Sequence, residues 1–99
     1  MDKQQIFKEM ISEIIKKKFS LYGQVLITKI SSTGTINISP SGEVIAINTD
    51  PKRALESILN VFKEISGNVG VTSAITALKV YSLKNAEVKA DIDEVVSRF

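Results

Sequence analysis

Three segments of the chain carry residue types that could do chemistry. The first is the run Lys16-Lys17-Lys18. Consecutive ammonium groups can meet phosphate oxygens, and at the end of a helix they also suit the negative pole of the helix dipole. Lys29, Lys52 and Arg53 would enlarge a phosphate-binding patch if the fold brings them alongside. The second is Gly67-Asn68-Val69-Gly70, which opens onto Thr72 and Ser73. Backbone N–H groups at a helix start, beside hydroxyls, can hold a phosphate. A nucleotide P-loop would need a Lys before the hydroxyl residue, and none stands there. The structural alternative is a helix–helix turn with a glycine C-cap. The candidate nucleic-acid or anion contacts are therefore Lys16, Lys17, Lys18, Lys52, Arg53, Gly67, Asn68, Gly70, Thr72 and Ser73. The third segment holds Asp91, Asp93 and Glu94. Hard cations want several oxygens, so a Mg²⁺ or Ca²⁺ site is one reading. A cap followed by acidic residues in a first helical turn is the other. Neither a Gly-bearing loop nor a further acidic ligand lies nearby, so the cap is preferred and no metal site is expected.

What is missing bounds the chemistry further. The chain has no His and no Cys. That removes the commonest general base, thiolate nucleophiles, disulfides and the usual zinc ligands. Catalysis would fall to carboxylates, Lys, Tyr, Ser or Thr with pKa values shifted by the fold. No catalytic residue and no cofactor is assigned, and an enzyme is not the expectation. The net charge of +2 is modest beside that of dedicated nucleic-acid-binding domains. No apolar run approaches the roughly 20 residues that span a bilayer. The first twenty residues mix apolar and charged positions, unlike a secretory signal. A cytoplasmic protein with no membrane role is expected.

The elements that must position these groups follow from periodicity. Ile6, Phe7, Met10, Ile11, Ile14 and Ile15 recur at helical spacing, so residues 3–19 read as an amphipathic helix with Asp2 as N-cap and Gly23 as breaker. Residues 24–31 (QVLITKIS) read as a strand, on the continuous Val25-Leu26-Ile27. Ser32-Thr33-Gly34 is a turn, Thr35–Ser39 a short strand, Ser39-Pro40-Ser41-Gly42 a β-turn and Glu43–Asn48 a third strand. Three strands joined by tight turns predict an antiparallel meander. Asp50-Pro51 starts a second helix that buries Leu55, Ile58, Leu59, Phe62 and Ile65 and stops at Gly67 or Asn68. Val71, Ala74, Ile75 and Leu78 predict a third helix over 71–84, although the β-formers Thr72, Thr76, Val80 and Tyr81 leave 77–83 open to a strand. Ala86, Val88, Ala90 and Ile92 alternate with Glu87, Lys89 and Asp91 as in an edge strand. A last short helix, capped by Asp91 or Asp93, carries Val95, Val96 and Phe99. Residues 1–99 then form one α+β domain of two layers: an antiparallel three- to four-stranded sheet against helices, in the order α-β-β-β-α-α-β-α. No internal repeat is read.

Three partial family resemblances bear on function. Strand, helix, GNVG, helix and strand over residues 43–92 resemble the clamp of KH-type RNA-binding domains, although neither residue between the glycines is basic. The segment GEVIAINTDPKRALESILNVF resembles the small dimerising subunit of the tRNA-modifying KEOPS complex. SPSGEVIAIN after a leading amphipathic helix resembles the roadblock family of small dimeric scaffolds. The resemblances imply a protein-binding or RNA-binding module. The preferred expectation is a non-enzymatic interaction module, a homodimerising scaffold or an accessory subunit of a larger complex. The alternative is RNA binding through the helix-GxxG-helix loop and nearby lysines.

Overall fold

A computed structural model describes residues 2–99 of the protein. Helix α1 (Lys3–Tyr22) starts where expected, with Asp2 Oδ1 accepting from the Gln5 N–H at 2.9 Å. It buries the predicted stripe Ile6, Phe7, Met10, Ile11, Ile14 and Ile15. Gly23 then reverses the chain. Its φ of 65° and ψ of −150° are the mirror image of an ordinary extended residue, a conformation that only glycine adopts without strain. A second helix, α2 (Gln24–Thr33), begins at the next residue and ends at the left-handed Gly34.

Strands β1 (Ile36–Ile38) and β2 (Val44–Ile47) form an antiparallel hairpin in which Ile36 faces Ile47 and Ile38 faces Val44. The Ser39–Gly42 turn closes it, with the Gly42 N–H donating to the Ser39 carbonyl at 3.0 Å. The hairpin lies on α1. There the Val44 N–H donates to Ser12 Oγ at 3.0 Å, a buried bond between β2 and a helix side chain.

Helix α3 (Pro51–Lys84) is capped by Asp50, whose Oδ1 accepts from the Lys52 N–H at 2.9 Å, and Pro51 occupies its first turn. It is broken at Gly67, with φ 65° and ψ −151°, the conformation already met at Gly23. The first half buries Leu55, Ile58, Leu59 and Phe62, and the second half buries Val71, Ala74 and Leu78. A 3₁₀ turn (Ala86–Val88) and helix α4 (Lys89–Val96) complete the chain.

The two breaks are related. Ile11, Ile14 and Ile15 precede Gly23 at the spacing at which Leu55, Ile58 and Leu59 precede Gly67, and all six are buried. After the glycines, Leu26, Ile27 and Ile30 correspond in the same way to the buried Gly70, Val71 and Ala74. Each long helix receives the segment that follows the other. Lys29 of α2 pairs with Glu64 at 2.7 Å, and Lys18 of α1 meets Ser73 of the second half of α3. Tyr22 and Ser66, the residues immediately before the two glycines, hydrogen-bond to each other. Contact between equivalent positions is the signature of a two-fold relation. A helix–glycine–helix unit therefore occurs twice, where reading the chain by residue type shows no repeat.

The expected architecture is corrected in three places. The described residues are mostly helical, with a single two-stranded sheet in place of a three- to four-stranded one, in the order α-α-β-β-α-α. Residues 24–31 are helical because the buried positions are Leu26, Ile27 and Ile30, while Val25 is exposed; burial on one helical face overrides the β-propensity of Val and Ile. Residues 86–92 are helical because Val88, Ile92 and Val95 are the buried set. The alternation counted Ala86 and Ala90 as apolar, and both are exposed. Residues 77–83, left open between helix and strand, are helix. The strand that the KH-type resemblance needs after its second helix is absent from the described residues, since residues 86–92 are helical.

Two substitutions test this account. A Cβ built on Gly67 meets nothing within 4 Å, so the cost of Gly67→Ala is purely conformational. It is expected to be about 1–3 kcal/mol in denaturant unfolding, whereas D-alanine at 67 should be tolerated. Ser12→Ala leaves the buried Val44 N–H without a partner and should cost about 1–3 kcal/mol in the same assay.

Candidate functional site

The predicted contact residues divide into two groups at opposite ends of the first half of α3. Lys52 and Arg53 lie at its start, beside Glu56, Glu94 and Arg98. Lys52 is paired with Glu94 at 2.9 Å. The hydrogen bond and charge of Glu94 hold the Lys52 ammonium above the usual lysine range. Gly67 lies about 20 Å further along the helix by its rise per residue. Lys52 and Arg53 therefore do not join the α1 lysines in one patch.

The other group is partly assembled. Lys16 is turned toward Glu43, at 3.3 Å. Lys18 Nζ donates to Ser73 Oγ and sits 6.0 Å from the centre of the Tyr22 ring. Lys17 lines a groove between α1 and the second half of α3, with Ile14, Leu21, Thr76 and Ala77. Ser73 Oγ also donates to the Gly70 carbonyl at 3.1 Å, and Thr76 Oγ1 donates to the Thr72 carbonyl at 3.1 Å.

Each glycine of GNVG has a structural task. Gly67 supplies the reversed backbone. Gly70 sits where the two halves of α3 meet, and a Cβ there would come 2.8 Å from Ser66 Cβ and 3.1 Å from the Phe62 carbonyl oxygen. The Tyr22 ring closes this corner, tilted against Phe62 at 6.3 Å between centroids. Asn68 is exposed on the first turn beyond the break.

The acidic cluster is spread over separate cations. Asp91 pairs with Lys3 at 2.9 Å, Asp93 with Lys89 at 2.8 Å and Glu94 with Lys52. Asp91 and Asp93 lie within α4 rather than at its cap, which is Val88. Among the described residues, no group of three His, Cys, Asp or Glu side chains could hold a metal ion.

The feature that reading for reactive residues overlooks is the outer face of the second half of α3. Val69, Thr72, Thr76, Val80 and Leu83 form a stripe along it, opposite the buried Val71, Ala74 and Leu78. Val69 is 79% exposed, Val80 50% and Leu83 80%, and Leu21 of α1, 72% exposed, stands beside the groove. The signal was visible in NVGVTSAITALKVYSL, where Lys79 is the single charge. A surface helix ordinarily carries charged residues on its outer face.

No family model, no curated protein and no solved structure matches the chain. No described helix is long and apolar enough to cross a membrane.

Tyr81 gives this region a pH dependence. Burial first, and then the charges of Glu9 and Glu13, push its phenol above the ordinary value of 10.0. The folded state thus keeps a proton that the unfolded state loses from about pH 10 upward, so its contribution is intact below that pH and declines above it. Urea midpoints measured upward from pH 9 should fall for the wild type, and less steeply for Tyr81→Phe.

Proposed function

We propose that the chain is a non-enzymatic interaction module, a scaffold or accessory subunit that presents the outer face of α3 to a protein partner. The observation that carries this reading is the stripe from Val69 to Leu83, about four helical turns with large exposed apolar side chains and no charge on its centre line. Water gains from covering such a face, and the centres of protein interfaces are depleted of charge in the same way. The chemistry elsewhere supports the same choice. The carboxylates Glu43, Glu56, Glu64, Asp91, Asp93 and Glu94 are engaged in surface ion pairs. The groove between α1 and α3 is lined by Met10, Ile14, Ala77 and Val80 with Glu13 as its one carboxylate.

A second reading has one specific observation in its favour. Lys17 and Lys18 lie against Ser73 and Thr76, so a phosphate could be met there. Lys16 is engaged with Glu43, and Lys52 and Arg53 are remote, which leaves a smaller nucleic-acid patch than the residue types suggest.

Affinity capture from native lysate, with and without nuclease, separates the two. Val69 and Leu83 are exposed, so the double substitution Val69→Ser, Leu83→Ser should leave unfolding within about 0.5 kcal/mol of wild type for each change. Capture of a protein that resists nuclease and is lost in that variant is the expected result. Capture abolished by nuclease and by Lys17→Gln, Lys18→Gln, and weakening steeply with salt, would replace it with the nucleic-acid reading.

A further inference from the structure

We infer that the occupant of the α3 outer face is an amphipathic helix with acidic flanks, supplied by another protein and not by a second copy of this chain. The inference rests on the interaction-module reading and assigns its partner a chemistry.

The argument starts from the cations around the stripe. Lys17 and Lys18 border it on the α1 side, Lys79 borders it on the other, and Lys84 lies at its end beside Val80. Among the described residues, none of these four lysines meets a carboxylate within salt-bridge distance, whereas Lys3, Lys16, Lys29, Lys52 and Lys89 each do. Glu13 is the one carboxylate lining the groove. The apolar strip is thus framed by unneutralised positive charge, while the rest of the surface neutralises most of its own.

Spacing and charge then have to be weighed for a second copy. The stripe is symmetric about Thr76: Val69 and Leu83 lie seven residues to either side, and Thr72 and Val80 four. An antiparallel pair of α3 helices could therefore match side chain to side chain. In such a pair like flanks meet, because a two-fold axis through Thr76 keeps each flank on its own side. The Lys79 ammonium of one copy would face that of the other across about 9 Å of helix rise, with the Lys17, Lys18 and Lys84 flanks brought together as well. At physiological salt that separation is about one Debye length, so the repulsion is only partly screened. Like charges set against each other disfavour that partner. A helix with apolar residues at i, i+3 or i+4 and i+7 and Glu or Asp on both flanks fills the same groove and meets every one of the four lysines. The stripe is about 21 Å long by the helical rise, which fits an occupant of four turns.

The test uses the full chain and two synthetic peptides of about sixteen residues that share one apolar stripe, the first flanked by Glu and the second by Lys. Titration is followed by NMR shifts of the isotopically labelled protein and by fluorescence anisotropy of the labelled peptide. The expected result is saturable binding of the Glu-flanked peptide, with shifts confined to residues 13–21 and 69–84. The Lys-flanked peptide should bind at least about tenfold more weakly. Lys17→Glu, Lys18→Glu, Lys79→Glu, Lys84→Glu should reverse that preference, with circular dichroism confirming the fold. If this variant unfolds, Lys79→Glu alone should reduce the discrimination between peptides. Equal binding of both peptides, or of neither, overturns the inference. Sedimentation velocity then separates the two levels. A dimer that disappears in Val69→Ser, Leu83→Ser removes the acidic helix and keeps the interaction module. If neither peptide binds and the same double variant changes neither self-association nor capture, both fall.

Discussion

Two glycines in a backbone conformation that strains every L side chain hold this fold together. At Gly23 and Gly67 the chain leaves one helix and enters the next with no intervening loop. An ordinary residue at either position would be strained, and the usual response, a longer connection, would move the following helix off its partner. Because the turn is one residue long, its direction is set by φ and ψ alone. The segment after each glycine is thereby laid against the other long helix. Tyr22 and Ser66 meet, Gly70 is pressed against Ser66 and the Phe62 carbonyl, and Lys18 is delivered to Ser73. The core that results is aliphatic and continuous, with Phe7 and Phe62 as its largest members.

The hairpin and the C-terminal segment cover what the two helix–glycine–helix units leave open. Val44, Ile36 and Ile47 turn inward from the hairpin, and Val88, Ile92 and Val95 from the C-terminal end. Ser12 links the two layers with a bond that β2 cannot make to another strand. Ion pairs cluster on this part of the surface: Lys3 with Asp91, Lys52 with Glu94, Arg98 with Glu56. Exposed pairs of this kind contribute little stability each. Their arrangement matters more for what it leaves over, which is a face of α3 where cations stand without carboxylate partners.

Helices with a regular apolar stripe and a clear start were legible in the sequence. Asp2 and Asp50 cap as their residue type suggests, and Ile6 to Ile15 and Leu55 to Phe62 are buried as their spacing requires. The hairpin was legible through Pro40 and Gly42. Residues 24–31 were not, because three adjacent apolar residues, Val25, Leu26 and Ile27, satisfy a strand and a helix alike, and the side that becomes solvent-facing is decided by α3. The C-terminal alternation misled for a different reason. Alanine is small enough to sit in either environment, so Ala86 and Ala90 carried no information about which face is covered. The repeated unit escaped notice because what repeats is burial around a glycine, with Leu26 matched by Gly70 and Ile30 by Ala74.

The candidate site shows the same limit from the functional side. A GxxG loop beside hydroxyls and lysines attracts a phosphate-binding reading, yet here one glycine is required by backbone direction and the other by close approach. Once both are spent on the fold, the motif has no residue left over that needs a ligand to explain it. The outer stripe is the reverse case. Val69, Val80 and Leu83 lie outside the buried core, and hydration of their exposed apolar surface is a standing cost. A Lys or Glu at any of these positions would fit the helix at least as well. Residues that the fold does not need, set in a row on a rigid helix and framed by lysines without carboxylates, are what the proposal of an interaction surface rests on.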